Sequence, residues 1–542
     1  NAELQLTGGI TISDEPLTLH STSAASRASL RSISGNNTYA GDITMTGGGT
    51  TQIIANPGTQ LNITGDVSGA GTGVLWRGDG LGTISGTVNL GTDSFLKTDN
   101  GTWQINSSGH TWGNTVVARG TIQLGANDAL PTATNVIMNQ GGANNSTLDL
   151  NDFNQTVASV SHNAGGTGNQ TINTGSGDFT VIGSYVDGTA ANSTLNVGGG
   201  SNTVIGTGLT VDNLTVANDG GTGTITVNSG AVEIGGNSSN FLDLANTTTA
   251  PAAFGTADFR NASSVTINVG EINMGIGTDN AGSTRGRLLL SEAGPNIVIA
   301  NSIMMGDSNP AGNTGVTSEI VLGGATNDFF VDQFTIAGRK STARVSIVDG
   351  GLFALNGTGG PGTGTLDFSR RTTNTGTNTV GTLDLANAAG ATIDVETIRM
   401  GTITSGGSGG DTSGVWNFSN TTNTVAANTI LMGDSGFAGN NDATSQIVLG
   451  SGANNVNVDT WTVGGRKSRG EVTINGGGTL TLSGNNNARA DLLIGDNATD
   501  TGTFSTGNFD LTGGTFNASI DELRIARHNE GAGHALGTLT FG

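Results

Sequence analysis

The side chains able to do chemistry in this 542-residue sequence are few and scattered. There is no Cys, so thiol catalysis, disulfides and thiolate metal sites are excluded together. The five His (His20, His110, His162, His528, His534) share no ligand spacing. His528 and His534, six apart, read as a solvated loop rather than a metal pair. A sugar-cleaving site of the inverting type needs two carboxyls roughly 6.5–9.5 Å apart, and no Asp-Asp pair occurs. The acidity leaves structural Ca²⁺ as the one cation to consider. Calcium-loaded β-rolls use tandem G-G-x-G-x-D repeats, and only the fragments Gly409-Gly410-Asp411 and Gly78-Asp79-Gly80 are present. A glycan platform would want exposed aromatics. Trp76, Trp103, Trp112 and Trp416 occupy unrelated positions, and Trp461 replaces Phe334 at a core-like repeat position. Sequons at Asn62, Asn106, Asn154, Asn213 and Asn517 are expected from the Asn/Thr content alone. The chain therefore reads as having no catalytic or cofactor-binding residues, and as no enzyme.

The formal charge is −22, from 42 acidic and 20 basic residues. That disfavours nucleic acid and anionic membranes, which call for basic surfaces. No apolar run approaches the length of a membrane-spanning helix, roughly 18 residues or more. Of the 542 residues, 92 are Gly and only 7 Pro. Collagen is ruled out by the missing Gly-X-Y period. Disorder is disfavoured by hydrophobics at 34%, which alternate with polar residues as in Thr479-Leu480-Thr481-Leu482.

Repeats organise the chain. Residues 301–356 and 428–483 align without gaps at an offset of 127, pairing Gly306 with Gly433, Leu322 with Leu449, Asp332 with Asp459 and Arg339 with Arg466. Inside this unit, strand-like segments ending in a small residue recur at Gly275, Gly306, Gly338, Gly401, Gly433, Gly465 and Gly495, with Arg370 and Ala526 placed by spacing. Each step contains about three short alternating segments, as in Trp461-Thr462-Val463, Glu471-Val472-Thr473-Ile474 and Thr479-Leu480-Thr481-Leu482.

A step of that size predicts an all-β, single-stranded, right-handed parallel β-helix (β-solenoid), with about three strands per rung and rungs of about 31–32 residues. Some 17 such rungs would make a rod roughly 80 Å long. One continuous solenoid is expected over 1–542. It divides into motif-bearing rungs over 1–130, irregular Gly/Asn-rich rungs over 131–245 and regular rungs over 246–542. A tandem array of β-sandwiches is the rival fold, but no linkers are visible. The residues after the repeat glycines read Asp307, Arg339, Arg371, Thr402, Asp434, Arg466, Asp496 and Arg527. Stacked in register, Asp434-Arg466-Asp496-Arg527 would form a column of alternating charge that penalises slipped rungs.

Several segments carry a resemblance. Ser32-Ile33-Ser34-Gly35-Asn36-Asn37-Thr38-Tyr39-Ala40-Gly41-Asp42-Ile43-Thr44-Met45 resembles the "LSGNNTYTGGTTV" core of the autotransporter-associated β-strand repeats. Gly120-Thr121-Ile122-Gln123-Leu124-Gly125 is similar to its continuation "GTLQLG", and Gly478–Asn486 matches again. Residues 148–160, LDLNDFNQTVASV, resemble a segment common between such repeats. The resemblance covers about a quarter of the chain. It implies a right-handed β-helix at a bacterial cell surface or released from it, acting as an adhesin, fibre or surface layer. The expected partners are further copies of itself and extracellular polysaccharide. A terminal membrane barrel belongs to that family, yet Leu539-Thr540-Phe541-Gly542 still reads as repeat. The expectation is a segment of a longer chain or a unit that stacks end to end. A carbohydrate-binding or polysaccharide-degrading β-helix is the alternative.

Overall fold

Alternation decides the local structure. Ala443–Leu449 (ATSQIVL) and Ser468–Ile474 (SRGEVTI) bury every second residue, small ones first and large aliphatics last. Such segments form strands because one face can be buried and the other left to water. The computed structural model describes residues 2–22, 28–69, 73–139, 141–162, 167–187, 192–247, 252–277, 283–308, 316–371, 378–404, 410–435, 443–497, 504–528 and 534–542. Over these the chain is all-β, with one 3₁₀ turn at Asn485–Asn487. It forms two compact units, Asn1–Thr215 with Gly223–Gly230, and Val216–Thr222 with Ala231–Gly542.

In the first unit the strands pair in parallel with strands from the coils before and after. Ala28–Ser34 lies between Ala2–Thr7 and Thr51–Ala55, and Asn36–Tyr39 between Thr11–Ile12 and Gln60–Ile63. Ile43–Thr46 lies between Leu17–His20 and Val67–Ser68. This is the parallel β-solenoid expected from the sequence. Its coils are shorter than the step read from the later repeat. Paired residues stand from 19 apart (Thr102 to Thr121) to 27 apart (Thr11 to Thr38). The cause is strand length, since most strands here have only two to five residues.

The second unit has the longer, regular coil. Leu242, Ile272, Ile303, Phe334, Leu366, Ile398, Ile430, Trp461 and Leu492 follow one another in register, and each is at most 1% exposed. Their spacing keeps the step read from the sequence. Burying such a side chain stabilises by about 1.5–3 kcal/mol. Strands as long as Ser264–Gly277 and Thr422–Ser435 run straight through one corner of the coil.

Each coil of this unit then turns sharply through one residue of left-handed backbone. The sequence reading ends strand-like segments at the repeat glycines; Gly275, Gly306, Gly401, Gly433 and Gly495 occupy the bend, with φ from 59° to 69°. In two coils the bend sits one residue earlier than Gly338 and Gly465, at Ala337 (φ 68°) and Gly464 (φ 73°). Ser369 takes it in place of Arg370, and Ala526 closes the series. Small residues are selected because the turn is crowded. A Cβ on Gly306 would lie 2.6 Å from Ser341 Cβ.

Buried asparagines form a second series. Asn296 and Asn327 pair in register, as do Asn423 and Asn454, and all four are at most 1% exposed. Asn454 Oδ1 accepts from Gly450 N, and its Nδ2 donates to the carbonyls of Gly450 and Thr479. These four close corners from the inside.

Candidate functional site

The charged residues that follow the bend come together as discrete pairs. Arg339 grips Asp307 with Nε at 2.7 Å, Arg466 grips Asp434 through two bonds of 2.6 Å, and Arg527 Nε lies 2.5 Å from Asp496. Arg399 holds Asp367 in the same way, at 2.6 Å. Each pair ties one coil to the next. Among the described residues no ion pair joins Arg466 to Asp496. Asp496 is met instead by Arg527 and, at 4.0 Å, by Arg524. Arg371 is buried and donates to the Gly410 carbonyl, and Thr402 stands in register with Asp434.

A groove of about 450 Å³ opens at the corner that the long strands cross. Its floor is made by successive coils in register: Asp394 beside Ala426, and Ala426 beside Asn457. At this corner two coils bulge. Residues 357–364 intervene between the strands Leu352–Asn356 and Thr365–Arg371, and residues 484–489 between Thr479–Ser483 and Ala490–Ile494. Both bulges are pinned alike. Thr358 N donates to Asp332 Oδ1 at 2.9 Å, and Asn485 N donates to Asp459 Oδ1 at 3.0 Å. Asp332 and Asp459 are equivalent in the long repeat, and so are Thr358 and Asn485. Asn485 Nδ2 also reaches back to the Ala427 carbonyl at 3.0 Å. The groove is thus a saddle between two copies of one loop, across coils that carry no bulge.

Against known protein families, characterised proteins and solved structures, the chain matches none.

The first unit holds a buried ionisable cluster that spacing did not reveal. His162 Nδ1 lies 3.6 Å from Asp187 Oδ1, with side-chain exposures of 2% and 0%. Among the described residues the Asp187 oxygens and the Tyr185 hydroxyl make no hydrogen bond. Burial, reinforced by the charge of Asp212, pushes the Asp187 carboxyl up to about 7. Burial also lowers His162 and raises Tyr185 well above its ordinary value. Two neutral partners are what such a setting favours.

Lys97 is the other buried charge. Its Nζ donates to the carbonyls of Thr98 and Asp99 at 2.7 Å and of Arg119 at 3.0 Å, and burial lowers it to about 8. His110 is buried and stacked on Trp112; its Nδ1 accepts from Val88 N at 2.9 Å. That assignment makes Nε2 the protonated nitrogen facing the Ser107 carbonyl.

The remaining sequence candidates have structural places. All five Trp are buried, so none offers a platform to a sugar. Asp79 accepts from Asn100 N at 2.8 Å, and Asp411 N donates to Asn378 Oδ1, while Gly409 lies outside the described residues. His528 pairs by a bridge with Asn497, and the His534 carbonyl accepts from Ser505 N. Among the described residues no three His, Asp or Glu converge as a metal site would require.

Proposed function

We propose that the chain is an extracellular structural and adhesive surface protein, a right-handed β-solenoid with three strands per turn, either a segment of a longer solenoid or a unit that assembles end to end. It performs no chemistry in this reading. The motif resemblance to autotransporter-associated repeats supports the location, and the parallel pairing of strands from successive coils supports the three-strand turn.

One observation carries the assembly. In the coil Thr515–Phe541, residues that continue the inner columns are exposed: Leu523 48%, Ile525 44% and Phe541 58%. Leu523 stands in register with buried Leu492, Ile525 with buried Ile494, and Phe541 with buried Leu511. Among the described residues, Ile520–Ile525 and Ala535–Phe541 each have one parallel partner. An apolar face bordered by unpaired backbone groups invites another strand. The occupant that matches both its chemistry and its hydrogen-bond spacing is a further parallel coil, of the same longer chain or of a second copy.

Sedimentation velocity tests this. The wild-type chain should show species growing with concentration, and Leu523→Glu with Phe541→Glu should sediment as a monomer. A wild-type chain that stays monomeric across tens of micromolar overturns end-to-end assembly.

A further inference from the structure

We infer that the saddle between residues 357–364 and 484–489 binds a neutral, polyhydroxylated chain, an oligosaccharide segment lying across the unbulged coils. The inference goes beyond end-to-end assembly and does not depend on it, because every lining residue belongs to one unit.

The chemistry of the lining selects the ligand. Its polar side chains are mostly amides: Asn428, Asn457, Asn485, Asn486 and Asn487. An amide both donates and accepts, and so does a hydroxyl, so the two groups match without either being ionised. Several of these amides keep capacity to spare. Asn457 Oδ1 accepts from Ser483 Oγ at 2.8 Å, and Asn428 Oδ1 accepts from Asn485 Nδ2 at 3.2 Å, which leaves both Nδ2 groups free to donate into the groove. Asn486 and Asn487 hold left-handed backbone, with φ of 53° and 60°, and project from the loop as exposed side chains.

Charge excludes other ligands. Among the described residues no Lys or Arg lines the groove, so a phosphate or carboxylate finds no cationic partner there, and the acidic side chain of Asp394 disfavours it. Val395, Ala426 and Ala427 supply a small apolar floor suited to the C–H face of a sugar ring. The volume of about 450 Å³ is within the range of small-molecule sites. The loops fix the site before a ligand arrives, because Asp332 and Asp459 anchor them to the preceding coils.

The test uses the full chain at a concentration where it is monomeric. A panel of neutral gluco-, manno- and galacto-configured oligosaccharides is screened by saturation-transfer NMR, with polygalacturonate fragments as the anionic comparison. At least one neutral member should bind, and Asn428→Ala with Asn457→Ala should weaken it at least tenfold. Asn487→Gly, which suits the left-handed backbone, should weaken it at least threefold with an unchanged melting curve. Asp394→Asn should leave neutral ligands within threefold. Three results each overturn the inference: no neutral binder, equal binding by the folded Asn variants, or binding of the anionic fragments as strong as that of neutral ones.

Discussion

Asn296 Nδ2 donates to Asn327 Oδ1 at 2.9 Å with both side chains fully buried, and one repeat unit later Asn423 makes the same bond to Asn454 at the same distance. These bonds run along the stacking direction, parallel to the strand ladders. A slip of one residue between coils would aim an apolar side chain at the carbonyls that the amides now satisfy.

Asn454→Ala should therefore destabilise the second unit by about 2–4 kcal/mol, since removing it leaves buried N–H and carbonyl groups without partners. Asn454→Asp keeps the acceptor for Gly450 N but turns a carboxylate toward the carbonyls of Gly450 and Thr479. It should be at least as costly. Urea unfolding midpoints would show both effects, and a midpoint within error of wild type would refute the assignment.

His162 and Asp187 pull stability in opposite directions with pH. Asp187 is raised to about 7 when folded, so the folded state holds its proton where the unfolded state has lost it. Its contribution falls as pH rises from about 4 to 7. His162 is lowered, so the unfolded state takes up a proton first on acidification, and its contribution falls as pH drops below the usual His range. The two effects offset in the wild-type chain. Asp187→Asn should expose the His162 effect, with stability lost toward pH 5. His162→Gln should expose the Asp187 effect, with on the order of 4 kcal/mol lost between pH 4 and 8. Tyr185, neutral across this range, adds nothing to either slope. Parallel pH profiles for both variants would refute the opposition.

Lys97 gives a third pH signature. Its folded value, about 8, lies below that of an exposed lysine. Between pH 8 and about 10.5 the unfolded chain binds more protons, so the Lys97 contribution favours folding increasingly as pH rises. Lys97→Met should remove that slope. At pH 7 it should also destabilise by about 1–3 kcal/mol, because three half-buried carbonyls lose their donor. Thermal melts of both proteins at pH 7 and 9.5 would measure the difference.

The bend makes a steric prediction. A Cβ on Gly433 would lie 2.6 Å from Ser468 Oγ at φ 69°, so Gly433→Ala should cost about 2 kcal/mol. Ala337→Gly, at the same bend of an earlier coil, should be neutral or slightly stabilising, since glycine adopts φ 68° without strain. Equal effects for the two changes would mean that the bend is not under steric control.

Much of this fold was legible because the bend pins a small residue in each coil of the second unit. Gly306 and Gly433 announced the period, and Phe334 and Trp461 marked the inner column. Near Gly338 and Gly465 the bend falls on the preceding Ala337 and Gly464, which are also small, so residue type alone does not separate the two neighbours. The shorter coils of residues 2–215 were missed for a different reason: very short strands leave too little alternation to set a period. The saddle was invisible because Thr358 and Asn485 are ordinary by type. Their equivalence matters only once Asp332 and Asp459 are seen gripping them. His162 and Asp187 are distant in sequence, and their separation means contact only when the local coil length is known.

The guanidinium–carboxylate grips described above do not run evenly along the second unit. Asp307–Arg339, Asp367–Arg399, Asp434–Arg466 and Asp496–Arg527 each fasten two neighbouring turns, and Arg344–Asp384 joins the first couple to the second. Among the described residues no ion pair links the turn of Arg399 to that of Asp434, or the turn of Arg466 to that of Asp496. Under a pulling force those two are the weak seams. The Asp434–Arg466 couple between them should yield as a quantum of two turns, releasing about 60 residues and so roughly 200 Å of slack.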